Sequence, residues 1–356
     1  MRRKPKRKVK FLLLKPGHIG DVLLMTPALR RLRKAYPDAL IDVAVRRGTH
    51  AVLEENPDIS RLFLLPHPEK KQTHTKNGLM DFWQCLTGMG FQRYDVAFDF
   101  SNSDRSRLWL FLSLARRRVG INAYGEMRWK AKLYHWLSTF KWGMEHQVLK
   151  DFRLVADALQ LDGEPGPLVL TTPKSPESIY EKLPFLQNLR RYIVIHPTSR
   201  WSFKQWLPDR WANVADQLAS RHGLAVIWSC GPDQRELNHL AEIQKHCASS
   251  HYSTNGRLSL RELAWVIEHS TLFCGVDTAA MHIAAAVQAP TVALFGPSQE
   301  WSWRPWKTRH ELVLGACPCK EKRVFTCDKS RPYPCMLRIT VEAVMEAAQR
   351  LLESTK

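Results

Sequence analysis

At 356 residues, 44% of them hydrophobic and 24% charged, the chain is too long for one small core and too apolar for a disordered one, so two soluble domains are expected. No apolar run reaches the roughly 20 residues that a membrane-spanning helix needs. A formal net charge of +19 calls for an anionic partner, and nucleic acid, an acidic membrane surface and a phosphorylated glycolipid all meet that description.

Seven of residues 2 to 10 are Lys or Arg. That arm reads either as a solvated tail or as a segment held to anionic headgroups. The apolar stretch behind it, Phe11 to Leu14, is too short for the core of a signal peptide, so a cytoplasmic location is expected. Val9 to Leu14 reads as a first buried strand. The loop Lys15-Pro16-Gly17-His18-Ile19-Gly20-Asp21 follows, then helical periodicity through Val22, Met25, Leu29 and Leu32. Two glycines three apart permit a tight turn with close backbone approach. The loop lacks both the G-K-[ST] ending of a P-loop and the third glycine of a dinucleotide fingerprint. Asp21, at the helix start, is either a capping carboxylate or an acid presented at the sheet's carboxyl edge. Thr26-Pro27 should split the helix into one turn and a longer piece.

Leu40 to Val45, Leu62 to Leu65 and Tyr94 to Phe100 read as strands. Helical stretches lie near Thr49 to Glu55, Leu79 to Met89 and Asp104 to Arg117. Such alternation predicts a doubly wound parallel sheet. Between Asn122 and Gly143 basic and aromatic residues interleave without clear periodicity. This suits a phosphorylated sugar, a lipid headgroup or single-stranded nucleic acid, or else a plain amphipathic helix pair. Glu145 to Leu161 reads as a helix, and the Pro- and Gly-rich run from Asp162 to Pro176 marks a domain boundary.

The second half restarts the scheme. Strands are read at Tyr192 to Ile195, Leu224 to Trp228, Leu272 to Val276 and Thr291 to Phe295, the last two as continuous apolar runs, the pattern of strands buried on both faces. Each ends in a polar loop: His196-Pro197-Thr198-Ser199, Cys230-Gly231-Pro232-Asp233, Gly275-Val276-Asp277-Thr278 and Phe295-Gly296-Pro297-Ser298. In a parallel sheet all four loops share one edge, which gathers Thr198, Ser199, Lys204, Asp233, Glu236, Asp277 and Thr278 into one crevice. The Ala-rich helix after Thr278 offers its first amides to an anion. The last helix, opened by Thr340, carries apolar residues at 341, 344, 345, 348, 351 and 352, a one-sided stripe that must pack on something.

Eight cysteines in a long chain of this kind do not suggest a disulfide framework. Cys317, Cys319, Cys327 and Cys335 lie within twenty residues and can in principle hold a zinc ion. Their spacing is not the paired C-x-x-C of zinc ribbons, and free thiols are the expectation. No D-x-D sequence occurs, so a metal-held diphosphate is not expected. The leaving-group charge would fall to Lys204 and the helix amides. These parts fit a nucleotide-sugar transferase better than a dehydrogenase or a kinase. The rival from another class is a basic nucleic-acid-binding protein on an idle α/β scaffold, which predicts strongly salt-dependent polynucleotide binding.

Four stretches, KPGHIGDVLLMTPALRRLRKAYP, HPTSRWSFKQWLP, FCGVDTAAMHIAAA and PTVALFGPS, resemble the ADP-heptose glycosyltransferases of lipopolysaccharide core assembly (glycosyltransferase family 9). The basic, Trp-rich chain looks most like the heptosyltransferase III type. The resemblance implies a GT-B fold, two Rossmann-like doubly wound domains facing across a cleft. An acceptor domain would span 1–170, including the arm at 1–8, and be followed by a linker region at 171–190. A nucleotide-sugar domain would cover 191–338, and the helix at 339–356 would pack back toward the first domain. It further implies inverting, metal-independent transfer without a cofactor. The donor would be ADP-L-glycero-β-D-manno-heptose and the acceptor a heptose of the lipid-anchored inner core, at the cytoplasmic face of the inner membrane. Contact with the anionic membrane surface is expected, and nucleic acid is not. By the resemblance Asp21 is the general base. Thr198, Ser199 and Lys204 form a phosphate loop, and Asp277, Thr278, Ala279 and His282 form the donor motif. Glu236 meets the ribose and Leu258 lies in the adenine segment. Ala279 stands where relatives commonly have glycine. Arg46, Arg105, Arg118, Arg128 and Lys130 are acceptor-binding candidates, drawn with Arg47 and Arg107 from the basic residues of the first half.

A carboxylate is a weak base toward a sugar hydroxyl. That suffices when the transition state is oxocarbenium-like and the proton leaves late.

Overall fold

The structure, a computed structural model of the chain, describes residues 7–66, 76–90, 92–122, 128–138, 145–322, 327–328 and 332–353. Most of the basic arm and parts of the 122–143 segment therefore lie outside the described residues. The chain divides into two compact units, 1–171 and 172–356.

The first unit holds six parallel strands: β1 (Lys10–Leu14), β2 (Leu40–Arg46), β3 (Arg61–Leu65), β4 (Val96–Asp99), β5 (Arg117–Gly120) and β6 (Trp136–Leu137), in the spatial order 3-2-1-4-5-6. This is the Rossmann order, with its switch point between β1 and β4. The central strands form where the sequence runs apolar: Phe11 to Leu14 and Ile41 to Val45 are almost wholly buried, Asp42 included. Asp42 is tolerated there because Arg61 and the Tyr94 hydroxyl donate to it, at 2.6 and 2.7 Å. The predicted helix from Asp104 to Arg117 stops at Leu112, and Arg117–Gly120 is instead β5. Ser103 caps that helix through the Ser106 amide. The chain reverses at Leu114, which sits in the left-handed region at φ 49°. Thr26-Pro27 splits the first helix as expected, into Ile19–Leu24 and Thr26–Ala35. Met25 is the N-cap of the second piece, and the Thr26 hydroxyl donates to the Leu23 carbonyl.

A buried ion pair ties β1 to the helix Gln147–Leu159. Lys15 Nζ lies 2.9 Å from both oxygens of Asp151, which also accepts from Gln147. Both charges are almost fully buried, so neither can be abandoned cheaply. Lys15→Met should lower unfolding free energy by about 3–5 kcal/mol in urea titrations, because it strands the Asp151 carboxylate. Lys15→Met combined with Asp151→Leu should recover most of the loss.

The second unit repeats the design with β7 (Tyr192–His196), β8 (Ala225–Trp228), β9 (Tyr252–Ser253), β10 (Leu272–Val276), β11 (Thr291–Phe295) and β12 (His310–Leu314). The order is β12-β11-β10-β7-β8-β9, all parallel. Its switch point falls between β7 and β10. The helix Pro208–His222 closes one face. Trp211 meets Trp206 edge-on at 5.1 Å, and the Trp206 indole donates to Ile339.

Both the segment after the unit boundary and the closing helix are built into the second unit. Part of the 171–190 segment is structured. The helix Glu177–Lys182 and the turn Pro184–Asn188 follow the unit boundary, with Ile179 buried, Lys182 and Ser178 bonded to Glu262, and Tyr180 edge-on to Trp265. The closing helix Val341–Glu353 also spends its apolar stripe inside the second unit. Val344, Met345, Ala348, Leu351 and Leu352 join the core formed with the helix Pro208–His222 and β10 to β12. Thr340 caps it by accepting from the Ala343 amide.

Candidate functional site

Because every strand of the second sheet is parallel, the loops after β7, β8, β10 and β11 emerge on one edge. Those after β7 and β10 flank the switch point, where α/β sheets bind ligands. Lys204, in the short turn Ser202–Lys204, reaches the carboxylate after β10. Its Nζ donates to Asp277 Oδ2 at 2.6 Å. Burial alone pushes the Asp277 carboxyl up. Lys204, a hydrogen bond from the Ser298 hydroxyl and nearby His282 together outweigh it and hold the group below the ordinary carboxylate range. The β7, β10 and β11 loops thus meet at one anion-cation pair.

Beside it lies a second polar cluster. The Thr198 hydroxyl donates to Glu236 Oε2 at 2.6 Å, and the same oxygen accepts from the Gly231 amide at 2.8 Å. Glu236 sits in the first turn of the helix Gln234–His246, which Asp233 caps through the Arg235 amide. His196 is buried among these groups, with Nδ1 2.9 Å from the Ser229 hydroxyl and Nε2 3.3 Å from Thr198. Burial lowers its pKa to about 4, partly offset by Glu236. At neutral pH it is an uncharged histidine at the end of β7, with both ring nitrogens satisfied. Ser199 is buried and accepts from the Trp201 amide.

The loop that carries Leu258 packs against the β8 loop through Gly256, at φ +64°, where an added Cβ would stand 2.7 Å from the Gly231 carbonyl oxygen. Leu258 itself is half-buried. The helix Ala279–Ala286 begins directly after Thr278. Thr278 is extended at φ −145°, does not cap the helix with its side chain, and has a buried hydroxyl without a partner among the described residues. Ala279 opens the helix, and His282 is buried one turn on. All nine donor-side residues named from the sequence therefore fall on the loops and helix starts at this edge or in the loop beside it.

In the first unit Asp21 occupies the first turn of Ile19–Leu24, after β1 and hence beside that sheet's own switch point. Its Oδ2 accepts from the His18 amide at 2.8 Å. Gly17 is required by proximity, since a Cβ there would lie 2.7 Å from Asp21 Cβ. Arg46 braces the same loop, Nε donating to the Gly17 carbonyl at 3.0 Å and Nη2 lying 3.2 Å from His18 Nδ1. The other acceptor candidates do not share that place. Arg118 Nε donates to the Leu133 carbonyl, Lys130 is bonded to Asp104 at 2.6 Å, and Arg105 is exposed. Arg128 belongs to the short helix Arg128–Ala131, but its side chain lies outside the described residues.

Sequence reasoning missed a buried network at the end of β4. Asp99 accepts from the Ser101 and Asn102 amides and from the Ser106 and Tyr134 hydroxyls. Burial raises its pKa nonetheless. The polar run Ser101 to Asp104 directly after an apolar strand was the available signal.

All eight cysteines are free thiols. Cys319 adjoins Cys317 and Cys327, and Cys335 adjoins Cys317. Among the described residues the three-donor group with metal-like spacing is Asp216, Cys247 and His251. Its carboxylate already accepts from the Ala248 and Ser249 amides, the Ser249 hydroxyl and His251, which reads as a loop clamp.

Comparison with known proteins agrees with this architecture. The profile of "Glycosyltransferase family 9 (heptosyltransferase)" matches residues 82–331. A "Lipopolysaccharide heptosyltransferase 3" of Escherichia coli is 31% identical over 292 residues, covering 81% of this chain and 83% of the relative. Another of that name, from strain K12, is 29% identical over 94% of this chain and 95% of its own length. Among solved structures, a glycosyl transferase family 9 protein from Veillonella parvula superposes with a TM-score of 0.79 at 20% identity, covering 97% of each chain. E. coli ADP-heptose lps heptosyltransferase II gives 0.75 at 21%, covering 98% of this chain and 99% of that one. The fold is GT-B, built from two Rossmann-like domains. A profile match across most of the chain, together with a relative above 30% identity along four-fifths of it, places the protein in glycosyltransferase family 9, the heptosyltransferase family.

Proposed function

We propose that this glycosyltransferase moves L-glycero-D-manno-heptose from ADP-heptose to a heptose of the lipopolysaccharide inner core, with inversion at the transferred carbon. The Lys204–Asp277 pair at the second sheet's switch point is the observation that carries the reading. An ammonium group held beside the open amides of an N-terminal helix turn suits a diphosphate. In this reading the donor's phosphates take one or more of the Lys204 protons now given to Asp277, and the Thr278 hydroxyl and Ala279 amide face the same charge. Asp277 and His282 meet the heptose, Glu236 with Thr198 meets the ribose, and the Leu258 loop borders adenine. The relatives named as lipopolysaccharide heptosyltransferases support the donor and acceptor class.

The step balances simply. The acceptor hydroxyl oxygen bonds to the anomeric carbon while the bond from that carbon to the ADP oxygen breaks. The hydroxyl proton passes late to Asp21, and the electron pair leaves with ADP, whose charge Lys204 and the helix amides stabilise. Arg46, braced on the Asp21 loop, is the acceptor candidate this mechanism favours. Incubating the protein with ADP-heptose and defined lipid-free core oligosaccharides tests the reading by mass spectrometry. A gain of one heptosyl unit is expected, and no gain on any inner-core acceptor overturns it. Gly17→Ala offers a finer check. The new methyl must displace Asp21, and a shift of that kind should cost roughly 10- to 100-fold in turnover with donor affinity unaltered by calorimetry.

A further inference from the structure

We infer that the helices Lys76–Cys85 and Asp104–Leu112 of the N-terminal unit form the surface by which the enzyme docks on an anionic bilayer. The inference rests on the proposed lipid-anchored acceptor for its purpose but not for its evidence. Among the described residues ten large hydrophobic side chains are exposed. Five of them, Met80, Trp83, Leu108, Phe111 and Leu114, lie on these two helices or directly after them. Scattered exposed apolar residues need no explanation, but a concentration of this kind marks an interaction surface.

The spacing makes each set a face. Met80 and Trp83 are three apart on one helix, and Leu108 and Phe111 are three apart on the other, so each pair projects from one side. Both helices keep a separate inward side, where Cys85, Trp109 and Leu110 are buried in the core. Phe82 joins them, its ring 6.2 Å from Trp83 and 5.4 Å from Trp109. The outward residues are therefore surplus to the core. Trp83, Leu108 and Phe111 are each more than half exposed.

Charge selects the occupant. Arg105 stands one turn before Leu108 on the same face and is exposed, as is Arg116, two residues beyond Leu114. Exposed Asp104 is matched by Arg107 and Lys130. The Lys130 contact also brings the basic 128–132 segment, with exposed Lys132, alongside the start of that helix. An aromatic and aliphatic face rimmed by arginine and lysine, on a chain of net charge +19, fits the headgroup boundary of an acidic membrane. Apolar rings enter the acyl edge there while basic groups meet phosphate.

The test uses the full chain with sugar-free vesicles. Sedimentation with phosphatidylethanolamine–phosphatidylglycerol vesicles should show binding that weakens with salt and with neutral phosphatidylcholine. The triple variant Trp83→Glu, Leu108→Glu, Phe111→Glu should lose binding by roughly tenfold or more. Its turnover of a lipid-free core oligosaccharide should stay normal, while turnover of the same acceptor embedded in vesicles falls. Hydrogen–deuterium exchange on the unaltered protein supplies a readout that needs no variant: vesicles should protect 76–85 and 104–112. Unchanged vesicle binding by the triple variant, protection confined to other segments, or a drop in oligomeric mass of that variant, which would mean a second copy covers the patch, each overturns the inference. Vesicle binding through this face without heptosyl transfer would instead sink the proposed reaction and leave the docking surface standing.

Discussion

Asp21→Asn is expected to reduce turnover by about 10²- to 10⁴-fold, the range that a positioned general base contributes, while the donor dissociation constant stays unchanged. The substitution is nearly isosteric. The amide oxygen of asparagine can still accept from the His18 amide that now bonds Asp21 Oδ2, so the loop between β1 and its helix should keep its shape. What disappears is proton affinity. Since base catalysis acts only as the proton moves, kcat and kcat/KM should fall together. Stability provides the control. Losing a negative charge from a helix's first turn costs about 0.3–1 kcal/mol, yet it also relieves Asp151, whose carboxyl Asp21 pushes up electrostatically. Thermal unfolding should therefore move little. A turnover equal to that of the unaltered enzyme would remove Asp21 from the chemistry.

The same region shows where sequence stops being informative. The inner strands were legible because a strand buried on both faces must be apolar throughout, as Phe11 to Leu14 and Leu272 to Val276 are. Of the strands farther out, β3 was read, but β5, β6, β9 and β12 were not. β6 and β9 have two residues each, and β5 is Arg-Arg-Val-Gly, which continues the preceding helix's pattern on paper. In the second unit the crevice could be read because parallel strands force their carboxyl ends onto one edge, whatever the side chains do. Thr198 with Glu236 and Lys204 with Asp277 then meet as that edge requires. The buried pairs of the first unit had no such rule behind them. Lys15 and Asp151 lie 136 residues apart, and Asp99 and Tyr134 lie 35 apart. Neither spacing follows a helical or strand period. The acceptor arginines could not be ranked for a related reason: composition marks them as basic, but only the fold separates Arg46, against the Asp21 loop, from Arg118, turned to the Leu133 carbonyl.

Lys204→Ala should weaken ADP-heptose binding by about 10- to 100-fold, as expected for one lost charge-assisted hydrogen bond. It should also lower turnover by about 10²- to 10³-fold, because the leaving diphosphate loses a preorganised cation. Part of the binding loss has a second source. Asp277 is buried, and without Lys204 its carboxylate faces an incoming diphosphate with no adjacent ammonium. Breaking a buried pair from one side is worse than removing both members. Lys204→Ala with Asp277→Asn should therefore bind donor more tightly than Lys204→Ala alone, while turnover stays low. The pH dependence has a definite sign. In the unaltered protein Lys204 helps to hold Asp277 below the ordinary carboxylate range. Its contribution to stability is thus present above the unfolded-state pKa and is lost as pH falls through the lower folded value. In Lys204→Ala the burial that pushes the carboxyl up meets less opposition, so acidification should protonate Asp277 sooner and partly restore donor binding. Calorimetry across mildly acidic to neutral pH reads both effects. Equal donor affinity in the single and double variants at every pH would refute the coupling and, with it, the assignment of Lys204 to the diphosphate.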